Sequence, residues 1–391
     1  MIRDYHRASA SAKHVTDWDT SNIGEHGILD VSKLGLSELS MRVRVGRNLK
    51  NFNLPGAMDK NERIAFEKAM LKAFEKLIEN PEFGGRVYSL TPDFGNGELN
   101  PNLINEEEYQ KLVDEHIMFK DMSADPYLKS AGIASDWPYG RGCYVSADRQ
   151  VIVWMGEEDQ LRIMCMKKGT KLNEVFDRLH TVLETIEKIP GIEFAYDEDF
   201  GYITSCPSNL GTGMRASVHI KIPNLTADGT ETKAKAICKP LGLSIRGLGG
   251  EHTKIGEDGT VDLSPSSRLF IRERDIIAKL YEGISLLMAE EKKLDSTVTK
   301  YTAFLDDLDK VRSENPDNRC ARYLSRELFL SYSPAQQDIL YRCAKSGVEN
   351  PDSSLGAYAM RPNDYKVGSC LFQNFGTNSS IQRNFQHFLI L

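Results

Sequence analysis

The chain has no Cys-x-x-Cys pair, no long apolar run and no excess of positive charge. Its seven cysteines, Cys143, Cys165, Cys206, Cys238, Cys320, Cys343 and Cys370, are odd in number and irregularly spaced. That pattern argues against a disulfide framework or a zinc site, and for reduced thiols in the cytoplasm. No stretch is long enough to span a bilayer, which argues against a membrane partner. The opening Met1-Ile2-Arg3-Asp4-Tyr5-His6 lacks the apolar core of a signal peptide. With a net charge of -7, no nucleic-acid partner is expected, and any anion site has to be a local cationic cluster in an acidic protein.

What is present suits a globular protein of two domains: 391 residues, 40% hydrophobic and 27% charged. Residues 1–36 are polar and weakly periodic and read as an irregular linker. A strand is expected over 40–45, with Arg42 and Arg44 on one face and Val43 and Val45 on the other. A helix is expected to start at Asp59, with Glu62 completing a capping box and a stripe of Ile64, Leu71, Phe74 and Ile78. Residues 151–155 read as a strand running into Gly156-Glu157-Glu158-Asp159. Helical spacing returns at Leu172, Val175, Phe176, Leu179, Leu183 and Ile186, and again at Ile276, Ile277, Leu280, Ile284, Leu287 and Met288. Between them lies a glycine-rich loop, Arg246-Gly247-Leu248-Gly249-Gly250-Glu251-His252, whose glycines suit a moving lid. Beyond about 295 the chain turns acidic and polar, then helical, and ends over 376–391 with neither period nor cap.

The most informative segment is Cys206-Pro207-Ser208-Asn209-Leu210-Gly211-Thr212-Gly213-Met214-Arg215-Ala216-Ser217-Val218-His219. After the turn the residues alternate. Arg215, Ser217, His219 and Lys221 take one face, and Ala216, Val218 and Ile220 the other. One face would pack, and the other would offer cations and hydrogen bonds to something anionic.

This segment resembles the signature of the phosphagen kinases, which move phosphate between ATP and a guanidine. Their pattern is Cys-Pro, Ser or Thr, Asn, an aliphatic residue, Gly, Thr, and every position matches. The resemblance implies an α+β fold, with a large antiparallel sheet flanked by helices (a glutamine-synthetase-like catalytic domain) over 37–294. It implies ATP or ADP with Mg2+ as the nucleotide and a small guanidino substrate, taurocyamine or arginine. The metal would be held by phosphate oxygens and water, with no direct protein ligand.

Phosphoryl transfer needs positioning and positive charge, and arginine supplies both. By resemblance the nucleotide phosphates are gripped by Arg42, Arg44, Arg162, Arg215 and Arg246. Any one of these alone would be read as a solvated surface charge; five in five matching motifs reverse that reading. Ser40, Ser217, Val218, His116, His219 and Asp262 also match nucleotide-side positions, although either histidine could equally be a satisfied, half-buried ring. Glu158 and Glu251 match the pair that clamps the guanidinium, one of which can also accept its proton. Cys206 has no local histidine base, so it reads as a thiolate near the guanidinium rather than a covalent nucleophile. Trp137-Pro138-Tyr139-Gly140-Arg141-Gly142 is family-like too, as a structural turn or as a ligand.

The order of parts departs from the family. Its small helical domain normally comes first. Here similar sequence follows a linker over 295–318, as a partial domain over 319–375, with a specificity loop at Ser353, Ser354, Leu355, Gly356 and Tyr358. The simplest expectation is a chain cut from a longer tandem kinase, whose C-terminal segment docks on its own or a neighbouring unit. Gln160 replaces a histidine common in arginine kinases. Ser354-Leu355 replaces their Gly-Val, which makes taurocyamine at least as good a candidate as arginine. Two other activities compete: a protein-arginine kinase, and a catalytically weak product that binds nucleotide.

Overall fold

The computed structural model describes residues 1–6, 9, 11–24, 27–227, 229–247, 255–256, 258–362 and 364. The chain divides into two compact units, Met1–Met288 and Ala289–Leu391.

The first unit is built on ten strands: β1 Leu39–Arg47, β2 Arg86–Ser89, β3 Gly142–Val145, β4 Val151–Met155, β5 Leu161–Gly169, β6 Tyr196–Asp197, β7 Gly201–Tyr202, β8 Met214–Lys221, β9 Leu243–Arg246 and β10 Thr260–Pro265. Eight of them form one sheet in the order β2-β3-β4-β5-β1-β8-β10-β9. Every neighbouring pair is antiparallel, so the expected large antiparallel sheet is present. Among the described residues six helices belong to this unit: α1 Ile2–Tyr5, α2 Lys60–Glu79, α3 Glu106–Asp114, α4 Pro126–Ser130, α5 Leu172–Glu187 and α6 Thr232–Cys238. A seventh, α7 (Glu273–Glu314), carries the unit boundary. Most of the stretch expected to be a linker, 295–318, is therefore helical.

Hydrophobic periodicity drives this arrangement. The stripe expected on α5 is buried in full: Leu172, Val175, Phe176, Leu179, Leu183 and Ile186. Each such side chain is worth about 1.5–3 kcal/mol when taken from water. On α2 the buried face is Ile64, Phe66, Met70, Ala73, Phe74 and Leu77, and Ile78 is exposed instead. Asp59 caps this helix through Glu62 N at 2.8 Å. The Glu62 carboxylate does not close the expected box; it accepts from Asn53 N at 2.6 Å and Asn53 Nδ2 at 3.0 Å. A nearby loop offered better donors than the helix end.

The stretch expected to be an irregular linker, 1–36, opens with α1 and carries a 3-10 turn at Val31–Leu34. Leu29 and Val31 are fully buried, and Asp17 N donates to Glu273 Oε2 at 2.9 Å.

Glu67, on α2, is a fully buried carboxyl that accepts from Ser89 Oγ and Thr91 Oγ1, and Asn100 Nδ2 donates to Ser89 Oγ at 2.8 Å. Burial raises its pKa, opposed by these hydrogen bonds. A raised folded pKa means stability is greatest below the free glutamate value and falls as pH rises through the folded one. Glu67→Gln should therefore gain stability relative to the wild type as pH rises from 4 to 8. Glu67→Ala, which strands the two hydroxyls, should lose roughly 2–4 kcal/mol. Urea midpoints across that pH range check both.

The second unit has its own core. Tyr301, Phe304, Leu305 and Leu308 of α7 pack with Cys320, Leu324, Phe329, Leu340, Ala344 and Val348, from helices α8 Arg319–Tyr323, α9 Arg326–Ser331 and α10 Pro334–Glu349 and their junctions. Gly356, at φ +68°, lies so close to Gly347 that a Cβ on Gly347 would meet the Gly356 carbonyl at 2.3 Å. Asn318 Nδ2 donates to Gly347 O at 2.7 Å.

Candidate active site

Strand register, more than any loop, assembles the cationic residues. Across β1 and β8, Arg44 pairs with Arg215, Arg42 with Ser217 and Ser40 with His219. Asp262 on β10 stands opposite both His219 and Arg246, and Arg162 on β5 stands opposite Gly46. Paired residues share a face of a sheet. Arg42, Arg44, Arg162, Arg215 and Arg246 are thus brought to one side of five adjacent strands. On the other side Met41, Val43, Val45, Ala216, Val218 and Ile220 are buried in the core. Val218 lies on that buried side, as the alternation around it predicts, so its side chain faces away from the arginines.

These guanidiniums repel one another. Arg44 is held down to about 9, first by burial and then by Arg162, Arg42, Arg215 and Arg268. Arg42 is lowered by burial, Arg162 and Arg215. Arg215 Nη2 bonds Asp262 Oδ2 at 3.1 Å and Ser264 Oγ at 3.3 Å, which makes Asp262 a counter-ion within the face. A polyanion on this surface would relieve repulsion already built into the fold.

The acidic side begins where β4 turns into β5. Arg162 Nη2 lies 2.6 Å from Glu157 and 3.7 Å from Glu158, so one guanidinium belongs to both halves of the site. The Glu158 pKa is raised by burial and then by Asp159 and Glu157, against Arg162 and a hydrogen bond to the Cys206 side chain. Cys206 Sγ lies 3.0 Å from Ser208 Oγ. It is half-buried, whereas the other free cysteines among the described residues are buried.

One cation was not singled out in the sequence. Arg268 Nη1 donates to Ser208 O at 3.3 Å. Its pKa is lowered first by burial and then by Arg215 and Arg246, against Tyr5 and Cys206. It lies past the end of β10, but the alternation Asp262, Ser264, Ser266, Arg268 points to it.

His116 is exposed just beyond α3, with φ +58°. Its neighbour Ile117 accepts from Trp154 Nε1, and the Trp154 ring lies 5.2 Å from the Arg162 guanidinium. Trp137 belongs to a packed turn against Phe119, and buried Arg141 bonds the Ile133 carbonyl at 2.7 Å. Gln160 is a buried tie, accepting from Leu49 N at 2.8 Å and donating to Asn53 O at 2.7 Å. Glu251 lies outside the described residues. Ser353, Ser354, Leu355, Gly356 and Tyr358 belong to the second unit. There Tyr358 N donates to Cys343 O at 2.8 Å, Gly356 is buried, and Leu355 and Tyr358 are exposed.

Known proteins resemble this chain in sequence and in fold. Residues 65–294 match the family model described as ATP:guanido phosphotransferase, C-terminal catalytic domain, and residues 314–375 match that of the N-terminal domain. The chain belongs to the ATP:guanido phosphotransferase family, the phosphagen kinases. It carries the match to the N-terminal domain after the match to the catalytic one. An arginine kinase of Anthopleura japonica is 35% identical over 380 residues, covering 95% of this chain and 49% of its own length. One from Turbo cornutus is 36% identical over 295 residues, covering 75% of this chain and 76% of its own. Among solved structures, the duplicated taurocyamine kinase of Schistosoma mansoni, with bound transition state analog components, superposes with a TM-score of 0.64 at 28% identity. That match covers 95% of this chain and 51% of that one. The chain thus spans about half the length of the first and third of these relatives. No helix among the described residues is long and apolar enough to cross a membrane.

Proposed function

We propose that the chain transfers the γ-phosphoryl group of ATP, taken as its magnesium complex, reversibly to a small guanidino substrate, taurocyamine or arginine. The observation that carries this is the junction at Arg162, where a face of arginines meets Glu158 and Cys206. The guanidiniums hold the phosphate chain by bidentate, charge-assisted bonds. Glu158 holds the guanidinium of the acceptor on the opposite side. Both reactants are then fixed in line, which is most of what this reaction asks of a protein. The acceptor nitrogen loses a proton as its bond to phosphorus forms and the bond to ADP breaks, and Glu158 or Glu251 accepts it. Cys206 stays uncoupled from covalent chemistry and supports the cation by charge. The six free thiols among the described residues fit a cytoplasmic setting.

A coupled assay of ADP release with arginine, taurocyamine and an arginine-bearing protein tests the proposal. Turnover is expected with a free guanidine. Nucleotide binding without turnover on any of the three acceptors would overturn it. The reading includes docking of the 319–375 segment. Cutting the chain near Asp309 should raise KM for the guanidine, and an unchanged KM removes docking from the proposal.

A further inference from the structure

Asp159 sits between the two reacting-side elements and touches neither reactant in the scheme above. It follows Glu158 in sequence, and its carboxylate is buried, with 5% of the residue exposed. Oδ1 accepts from Ser205 N at 2.7 Å and from Asn48 Nδ2 at 2.8 Å. Ser205 immediately precedes Cys206. The residue after the clamp glutamate is therefore bonded to the residue before the thiol.

The surroundings hold this carboxylate in one place. Asn48 Nδ2 also donates to Ile203 O at 3.0 Å, and Asn48 Oδ1 accepts from Gln160 N at 2.8 Å. Thr204 Oγ1 donates to Cys206 O at 2.8 Å. On the other side, a Cβ added to Gly46 would lie 2.6 Å from Asp159 Oδ2, so β1 leaves room for that oxygen only by having glycine there.

We propose that Asp159 is a positioning residue that fixes the separation of the Glu158 carboxylate from the Cys206 turn. The proposal rests on the phosphotransfer reading above. Buried hydrogen bonds to a charged oxygen are strong and directional, and loss of register between reacting groups is costly. A misplacement on the order of 1 Å can lower turnover by about 10²-fold.

Two variants separate geometry from charge. Asp159→Ala removes both bonds. Asp159→Asn keeps an acceptor oxygen toward Ser205 and Asn48 but discards the negative charge that helps raise Glu158. The groups facing Glu158 are Glu157, Asp159, Arg162 and Cys206. For D159A, kcat should fall by about 10²-fold with KM for ATP little changed. D159N should retain turnover, and the acidic limb of its pH–rate profile should move to lower pH. Should D159A fail to fold, the D159N profile alone decides: an unmoved limb, or a collapse of turnover, overturns the proposal.

The second readout does not depend on turnover. Iodoacetamide alkylation of Cys206 at fixed pH, followed by peptide mapping, reports the surroundings of its thiol. E158Q should change that alkylation rate in the native background and in D159N, and not in D159A. An equal change in all three overturns the positioning role. A coupling that behaves as expected in a chain with no guanidine turnover would instead count against the phosphotransfer reading alone.

Discussion

Glu158→Gln should lower kcat by about three orders of magnitude while leaving ATP binding nearly intact. The amide keeps the shape of the side chain but loses the charge proposed to hold a guanidinium and the base proposed to take its proton. The same substitution should stabilise the fold at neutral pH. The Glu158 pKa is raised by burial and by two neighbouring carboxylates. Its ionised form is therefore disfavoured in the folded chain, and stability falls as pH rises through the folded pKa. Neutralising it removes that loss. Steady-state rates and a urea melt on the same sample check both halves. A fall in activity together with a fall in stability would point to misfolding instead of lost chemistry.

Arg44→Met should have the largest effect on the nucleotide side, reducing kcat/KM by about 10³-fold. Arg44 is held down to about 9 by burial and four other arginines. At neutral pH it is charged in folded and unfolded chains alike, so the folded chain carries the whole repulsion. The nucleotide-free variant should melt higher than the wild type, and the stabilisation conferred by MgATP should shrink. Thermal melts with and without MgATP measure both. If Arg44→Met lowers the melting temperature and leaves the ATP-induced shift unchanged, the cationic face is not the phosphate site.

These two effects share an origin that was partly legible in the sequence. The alternation around Arg42 and Arg44, and from Arg215 to Lys221, has a period that only a strand reads out, and both strands formed. What alternation could not supply is pairing. Nothing local places Arg246 opposite Asp262, because β9 and β10 pair across residues distant in sequence. Arg268 was missed because it follows the end of its strand, where the period loses its structural warrant. On α2, the outward Ile78 fitted a helical stripe as well as the buried Leu77 did, and only packing chose between them. Glu67 was invisible for a different reason: a buried acid looks like any surface acid until its partners, more than twenty residues away, are known. The Gly156-Glu157-Glu158-Asp159 turn disclosed its charges but not their division of labour, in which one faces the thiol turn and another ties its backbone.

The middle strands of the sheet also set what length changes the gene can accept. Because β1 and β8 place cationic groups on one surface and core groups on the other, losing or gaining a single codon in either would exchange the two sets downstream of the event. Arginines would enter the interior and valines would take their place on the cationic face. Tolerated insertions should therefore cluster in surface turns such as that around Gly95 and Gly97, where an added Cβ would meet nothing within 4 Å.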